Sequence, residues 1–487
     1  MTTVAVLVPL SGEPHSAAAV QRLVNHLPVR HVAVAVAGAG VAAVPACRTL
    51  HATELRSAAA VVEALRWFAD AGDAYLLWFL SSRVAWTAAG LRRLLQAAED
   101  SHSAIVYSDF VEQHADGSVV PHPLIDYQPG SLRDDFDFGH VVLLSQWAVA
   151  GLADAIEGDR FAAEFGGWYD LRLRASERGR VIHLAEPTYA VPVATQQTAG
   201  EAHFHYVDPR NRAYQIEMEC VATAHLRRIE AWLPPPRSLL VDEGEFPVEC
   251  SVVIPVRNRA GTVGDAVRSA LSQRPDFPFN VIVVDNHSTD GTTDVLRELA
   301  AQDSRVLHVV PARRDLGIGG CWNEAIDADG CGRYAVQLDS DDLYSNDDVL
   351  MRIVAEFRRG GYAAVVGSYT IVNFQLQPIP PGLIDHREWT DDNGHNNALR
   401  IAGLGAPRAF HVPTLRRIGF PNVSFGEDYA VMLRLSREYA LGRIYDSLYW
   451  CRRWEGNTDH ALSLETKNRY AFYKDQVRSL ELAARQQ

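Results

Sequence analysis

Short runs of β-branched and aliphatic residues recur along the chain, separated by segments whose apolar positions return every three or four residues. Cys250-Ser251-Val252-Val253-Ile254-Pro255 and Asn280-Val281-Ile282-Val283-Val284-Asp285 have the composition of buried strands, and the stretch between them reads as helix. Strand, helix, strand in that order predicts an α/β unit with a parallel sheet of the nucleotide-binding kind. Arg210 to Leu233 reads as a further helix, with Ile216, Cys220, Leu226 and Ile229 near helical spacing. The periodicity stops at Leu233 to Pro247, LPPPRSLLVDEGEFP, where three prolines and an acidic run predict a stiff, exposed connector. The expected organisation is residues 1–232, a linker at 233–248, and a second domain at 249–487.

The two halves share one pattern. Tyr75-Leu76-Leu77-Trp78-Phe79-Leu80-Ser81-Ser82-Arg83 aligns with Tyr334-Ala335-Val336-Gln337-Leu338-Asp339-Ser340-Asp341-Asp342, and Phe165-Gly166-Gly167-Trp168-Tyr169 with Phe425-Gly426-Glu427-Asp428-Tyr429. Leu173-Arg174 and Tyr189 match Leu433-Arg434 and Tyr449 at the same spacing. A spacing that holds to within one residue over so long a stretch points to duplication of one domain.

Composition narrows the function classes. With 487 residues, 47% hydrophobic and 22% charged, the chain can bury more than one sizeable core. A formal charge of −14 argues against nucleic acid as a partner. Lys467 and Lys474 are the only lysines, which leaves almost no candidate for a catalytic lysine. The six cysteines are scattered without a CxxC pair, so neither a zinc site nor a disulfide framework is indicated. The N-terminus lacks a basic segment before an apolar one, and Val32 to Ala46 is too short to span a bilayer. A cytoplasmic protein is expected, with peripheral membrane association left open.

Candidate chemistry concentrates in the second half. Val283-Val284-Asp285-Asn286-His287-Ser288-Thr289-Asp290-Gly291-Thr292 is a strand ending in a carboxylate and entering a polar helix start. Val336-Gln337-Leu338-Asp339-Ser340-Asp341-Asp342 puts three carboxylates within four residues of an apolar strand end. Crowded acids in such a place are costly unless something binds them, and they suit a hard cation, Mg²⁺ or Mn²⁺, completed by a diphosphate. A helix cap from Asp341 or Asp342 to a helix near Asp347 would leave the other acids unexplained. An EF-hand loop would need Gly where Tyr344 stands. Glu427-Asp428 follows at a helix-like start, and transfer from a nucleotide diphosphate needs such a carboxylate to deprotonate the acceptor hydroxyl.

Taken in order, these elements resemble glycosyltransferase family 2, of the GT-A fold, over nearly all of the second half. The resemblance implies two tandem GT-A-like α/β domains, the first degenerate, and an inverting transfer by single in-line displacement. Pro255, Val256 and Asp285 would hold the nucleoside, with Arg257 and Asn323 also against the nucleotide-sugar. Asp339 would lie against ribose, diphosphate and metal, Asp341 would ligate Mn²⁺ or Mg²⁺, and Asp428 would be the general base supported by Glu427. His460 either reaches the diphosphate or metal or stands on the surface. Processive relatives carry QxxRW, whereas this chain has Trp450-Cys451-Arg452-Arg453-Trp454, so a non-processive enzyme is expected. The implied partners are a nucleotide-sugar, UDP-linked by preference over GDP or dTDP, and a glycan, lipid-linked or small-molecule acceptor. A homo-oligomer is left open.

Other polar groups keep two readings. His395, Asn396 and Asn397 suit an acceptor or an ordinary loop, and Trp322, Trp389 and Trp454 suit a sugar ring or a core. In the first half, Leu80, Ser82 and Arg83 replace the acid cluster and Gly167-Trp168 replaces Glu427-Asp428, so it should fold without catalysing. Its segment 107–139 carries Asp109, Glu112, His122, Asp126, Asp134 and Asp135, which suit acceptor hydroxyls or a plain surface. Two other functions compete with transfer. A sugar nucleotidyltransferase would need a phosphate loop with a lysine, and a non-catalytic carbohydrate-binding scaffold would not need the intact acids of the second half.

Overall fold

The computed structural model describes residues 3–10, 20, 29–37, 44–52, 54, 56–159, 164–193, 208–236, 238–241, 244–454, 456–457 and 462–487. They form two compact units. The first comprises Met1–Thr198, Ala213–Trp232 and Ser463–Gln486, and the second is built on Leu233–Leu462 with Ala199–Arg212.

Each unit is built on a nine-stranded mixed sheet. The first contains β1 (Val4–Leu10), β2 (Val29–Ala37), β3 (Arg48–Ala52), β4 (Tyr75–Phe79), β5 (Ala85–Trp86), β6 (Ile105–Gln113), β7 (Val119–His122), β8 (Val141–Ser145) and β9 (Val181–Pro192). The second contains β10 (Cys250–Val256), β11 (Phe279–Asp285), β12 (Val306–Val309), β13 (Tyr334–Gln337), β14 (Leu343–Tyr344), β15 (Ala364–Val372), β16 (Pro378–Ile384), β17 (Arg408–His411) and β18 (Leu441–Arg452). The orders are β3-β2-β1-β4-β8-β6-β9-β5 and β12-β11-β10-β13-β17-β15-β18-β14, with β7 and β16 added on β6 and β15. Position for position, the two sheets have one topology. In the second, β12, β11, β10 and β13 run parallel, and β17 enters antiparallel between β13 and β15.

Register makes the equivalence residue-specific. Val4 pairs with Tyr75 as Cys250 pairs with Tyr334, which sets Leu80 at the place of Asp339. Leu10 pairs with Val36 as Val256 pairs with Asp285, so an apolar side chain stands where the second unit has its strand-end acid. β11 is buried along its whole length, as its unbroken β-branched run requires when helices cover both faces of a parallel sheet.

Two expectations change and one is met. The helix expected over 210–233 spans Arg212–Arg228, and its buried face is Met218, Val221, Ala222, His225 and Leu226. Ile216 and Cys220 lie exposed. The helix expected near Asp347 starts at Val349 and takes no side-chain cap from Asp341 or Asp342. The last helix, Leu464–Arg485, belongs to the first unit and not to the second half that precedes it in sequence. It is held there by Asp475, fully buried, which accepts from Ser131 Oγ (2.9 Å) and pairs with Arg133 Nε (3.2 Å) and Arg478 Nη1 (2.7 Å). Gly130 is required beside it, since a Cβ there would lie 2.1 Å from the Asp475 carbonyl oxygen.

Removing Asp475 would take this carboxylate from the buried Arg478 guanidinium and leave Arg133 with Asp135 alone. Asp475→Ala is expected to cost about 3–5 kcal/mol of first-unit stability, read from urea unfolding of the full chain. A loss under about 1 kcal/mol would mean that apolar packing, not the ion pair, docks the helix.

Candidate active site

The ends of β10 and β11 are stitched together before any ligand is considered. Asn286 N–H donates to the Val256 carbonyl (2.8 Å), Asn258 N–H to Ser288 Oγ (2.9 Å), and Thr289 N–H to Asn258 Oδ1 (2.8 Å). Asn258 and His287 take positive φ to allow these crossings, at 56° each. Asp285 is fully buried at the β11 end. It accepts from Ser288 N–H (3.0 Å) and Thr293 Oγ1 (2.6 Å), with His308 Nε2 3.4 Å away. Burial pushes its carboxyl up, but the Ser288 and Thr293 bonds outweigh that and hold it below the ordinary range. Beside it Val256 is buried, Pro255 half-buried and Arg257 exposed.

After β13 the chain turns over Asp339 to Asp342, closed by Asp342 N–H to the Asp339 carbonyl (3.1 Å). The three acids separate by environment. Asp342 points inward, only 5% exposed, and accepts from Arg452 N–H (2.8 Å). Burial, then repulsion from Asp339 and Asp341, pushes it well above the usual range. Asp339 donates its N–H to the Tyr449 hydroxyl (3.0 Å) and accepts from Gln337 Nε2 (2.9 Å). Although Asp339 is exposed, the atoms packed around its carboxyl desolvate it and push it up, against partial relief from Gln337 and Arg408. Asp339 is the exposed one of the three and Asp341 is half-buried: its Oδ2 meets Trp454 Nε1 and Asn457 Nδ2, each at 3.3 Å, and Arg259 Nε at 3.9 Å.

Among the described residues no three ligating side chains already form a cage. The donor set nevertheless fits a divalent cation of the Mg²⁺ type, which takes one or two carboxylates and completes its shell with phosphate and water. Asp339 and Asp341 would supply those carboxylates.

Glu427 and Asp428 begin the helix Glu427–Glu438, entered through Gly426 at φ 80°. The preceding loop is fixed by the helix Ile318–Asp327. Asn323 donates to the Phe420 carbonyl (2.9 Å) and accepts its N–H (2.8 Å), so both ends of this amide hold the loop. Gly319 allows the approach, since a Cβ there would lie 2.0 Å from the Pro421 carbonyl oxygen. Asp428 Oδ2 lies 2.7 Å from Nη1 of Arg408, the first residue of β17. Arg408 N–H donates to Gln337 Oε1 (3.2 Å), so Gln337 bridges Arg408 and Asp339. Glu427 is 8% exposed with Oε2 unpartnered, and burial, then Asp428, pushes its carboxyl up to about 8.

The structure therefore gathers Pro255, Asp285, Asp339 and Asp341 at neighbouring strand ends and ties Asp339 to Asp428 through Gln337 and Arg408. Asn323 stands one step back, and His460 lies outside the described residues. Trp454 reaches Asp341, whereas Trp322 stacks on Phe420 (5.1 Å) and Trp389 is core. His395 and Asn396 are buried and bind the Leu233 carbonyl (2.8 and 2.9 Å), fixing the start of the connector. Gln337, Arg408, Arg259 and Asn457 carried no signal in the sequence. Tyr449 did, as a matched position of the repeat.

In the first unit the polar groups of segment 107–139 are largely spent on structure. Asp109 and Asp126 both bind His183 (2.8 Å each), Glu112 binds His122 (2.8 Å), Asp135 binds Arg133 (2.7 Å), and Tyr214 donates to Asp134 (2.9 Å).

Residues 251–409 match the model of glycosyl transferase family 2. Over 188 residues the chain is 37% identical to the putative teichuronic acid biosynthesis glycosyltransferase TuaG of Bacillus subtilis, covering 39% of this chain and 72% of that one. It is 35% identical over 125 residues to the glycosyltransferase AglD of Haloferax volcanii, covering 25% of this chain and 20% of AglD. Among solved structures, S. aureus TarS 1–349 in complex with UDP-GlcNAc aligns at 19% identity and a TM-score of 0.38, over 47% of this chain and 66% of that one. The chain belongs to glycosyl transferase family 2.

Glu427 gives a stability signature. Its folded-state pKa lies above the ordinary 4.5, so the native state retains a proton that the unfolded chain releases. The stability this supplies is complete in acid and is lost as pH rises from about 4.5 to about 8. Glu427→Gln should flatten that slope, its melting temperature gaining on the parent as pH rises. Parallel pH profiles would mean that Glu427 titrates normally.

Proposed function

We propose that the second unit catalyses an inverting, metal-dependent, non-processive transfer of a sugar from a nucleotide diphosphate, UDP by preference, to an acceptor hydroxyl. The observation that carries this reading is the Asp339–Gln337–Arg408–Asp428 link, which joins the strand-end acids to a second carboxylate on a separate helix.

In this reading Pro255, Val256, Arg257 and Asp285 receive the nucleoside, the hydrogen-bonded Asp285 accepting from the base. Asp339 and Asp341 would hold Mn²⁺ or Mg²⁺, which when bound neutralises the departing diphosphate. Arg259, Trp454 and Asn457 occupy the outer oxygen of Asp341 and would yield or share it on binding. The acceptor oxygen attacks the anomeric carbon as the bond to diphosphate breaks, and its proton passes to Asp428. Arg408 keeps negative charge on Asp428 and fixes its direction. Glu427, largely protonated at neutral pH, offers its unpartnered oxygen to the donor sugar. The name of TuaG supports a glycan-type acceptor, and the first unit is read as a copy that has lost transfer.

Calorimetry should show Mn²⁺-stimulated UDP binding that Asp341→Ala abolishes; equal affinity with and without metal would count against the site. A panel of nucleotide sugars with Mn²⁺, read by nucleotide release, tests donor choice. Asp428→Asn should lower kcat by about 10²–10⁴-fold at unchanged UDP affinity, the usual worth of a general base. Retention of most activity would move the base elsewhere.

A further inference from the structure

The first unit lacks the acids, yet among the described residues its strand ends are not filled in. A cavity of about 160 Å³ opens there, walled by Pro9, Ala35, Trp78, Leu80 and Trp168. Register and the repeat set these walls where the second unit has its donor groups: Pro9 at the place of Pro255, Leu80 at that of Asp339, Trp168 at that of Asp428. The two indoles are 5.3 Å apart at 52°, a wedge and not a stack. The charged lining is Glu54, Arg56 and Glu63, of which the first two are exposed and the third half-buried.

We infer that this cavity binds one neutral sugar ring, the wedge of Trp78 and Trp168 taking its C–H face and Glu54, Glu63 and Arg56 its hydroxyls. The size is that of a single six-membered ring, since an engineered cavity of about 150 Å³ admits benzene. Two carboxylates against one guanidinium disfavour a nucleotide diphosphate. A wholly apolar guest would leave Glu63 facing it without compensation. A sugar ring has both surfaces, apolar faces and a polar rim, and aromatic walls with a few polar groups are the usual form of such a site. The inference stands apart from catalysis in the second unit.

The test is direct binding to the full chain. Methyl glycosides of glucose, galactose, mannose and N-acetylglucosamine are titrated by saturation-transfer NMR and by shifts of the Trp78 and Trp168 indole resonances. At least one should saturate, and Trp168→Ala should weaken it by about tenfold, the loss of one good contact of about 1.4 kcal/mol. Should Trp168→Ala fail to fold, Ala60→Phe fills the cavity from its half-buried wall and should abolish binding with UDP affinity unchanged. Saturation by none of the glycosides, binding that Ala60→Phe leaves intact, competition by UDP, or a response to toluene alone would each overturn the inference.

Discussion

Setting carboxylates at the ends of buried strands costs free energy that only hydrogen bonds, guanidinium groups or a bound cation can offset. The second unit uses the first two for part of its charge. Asp285 is settled by Ser288 and Thr293, Asp342 leans on the Arg452 amide, and Asp428 faces Arg408. Asp339 and Asp341 are left with neutral or distant partners, which is where a cation has most to gain. The electrostatics of the whole site follow from this uneven compensation.

The same sheet in the first unit shows that the architecture does not depend on these acids. Val36 and Leu80 stand at their places, and strand order and register are preserved. Apolar residues at strand ends need no compensation, so the same fold forms without this charge. Packing around a strand end need not close where acids are absent, and among the described residues a space walled by aromatic rings remains.

What could be read in sequence follows the range of the interactions. The parallel core was legible because β10 and β11 are continuous β-branched runs, and the duplication because matched positions keep their spacing. The acids were legible because a carboxylate ending an apolar run is locally anomalous. Arg408 was not: its meaning depends on β17 lying antiparallel beside β13, a pairing across more than sixty intervening residues that no local pattern announces. The last helix failed for a related reason. Its pattern predicts a buried face but not which unit covers it, and that choice rests on Asp475 meeting Ser131 and Arg133. Asn323, which the resemblance sets against the nucleotide-sugar, has both ends of its amide bonded to Phe420, a pairing that its local sequence does not announce.

The adjacent carboxyls of Glu427 and Asp428 show how a distant strand can assign chemical roles. Two like charges beside one another at a buried helix start resist joint ionisation, so one carboxyl tends to keep its proton. The neighbouring cation decides which. Arg408 stands 2.7 Å from Asp428, while Glu427 is 8% exposed with one oxygen unpartnered, so negative charge is favoured on Asp428 and the proton on Glu427. On the proposed reaction this gives a proton acceptor and a neutral hydrogen-bond donor side by side, toward acceptor and donor sugar respectively. The division is not written in the pair itself, since either carboxyl could serve either role on a helix of this sequence. It is imposed by the first residue of β17, whose own backbone is tied through Gln337 to Asp339. A change at Gln337 would therefore disturb both ends of the site at once, Asp339 through its direct hydrogen bond and Asp428 through Arg408.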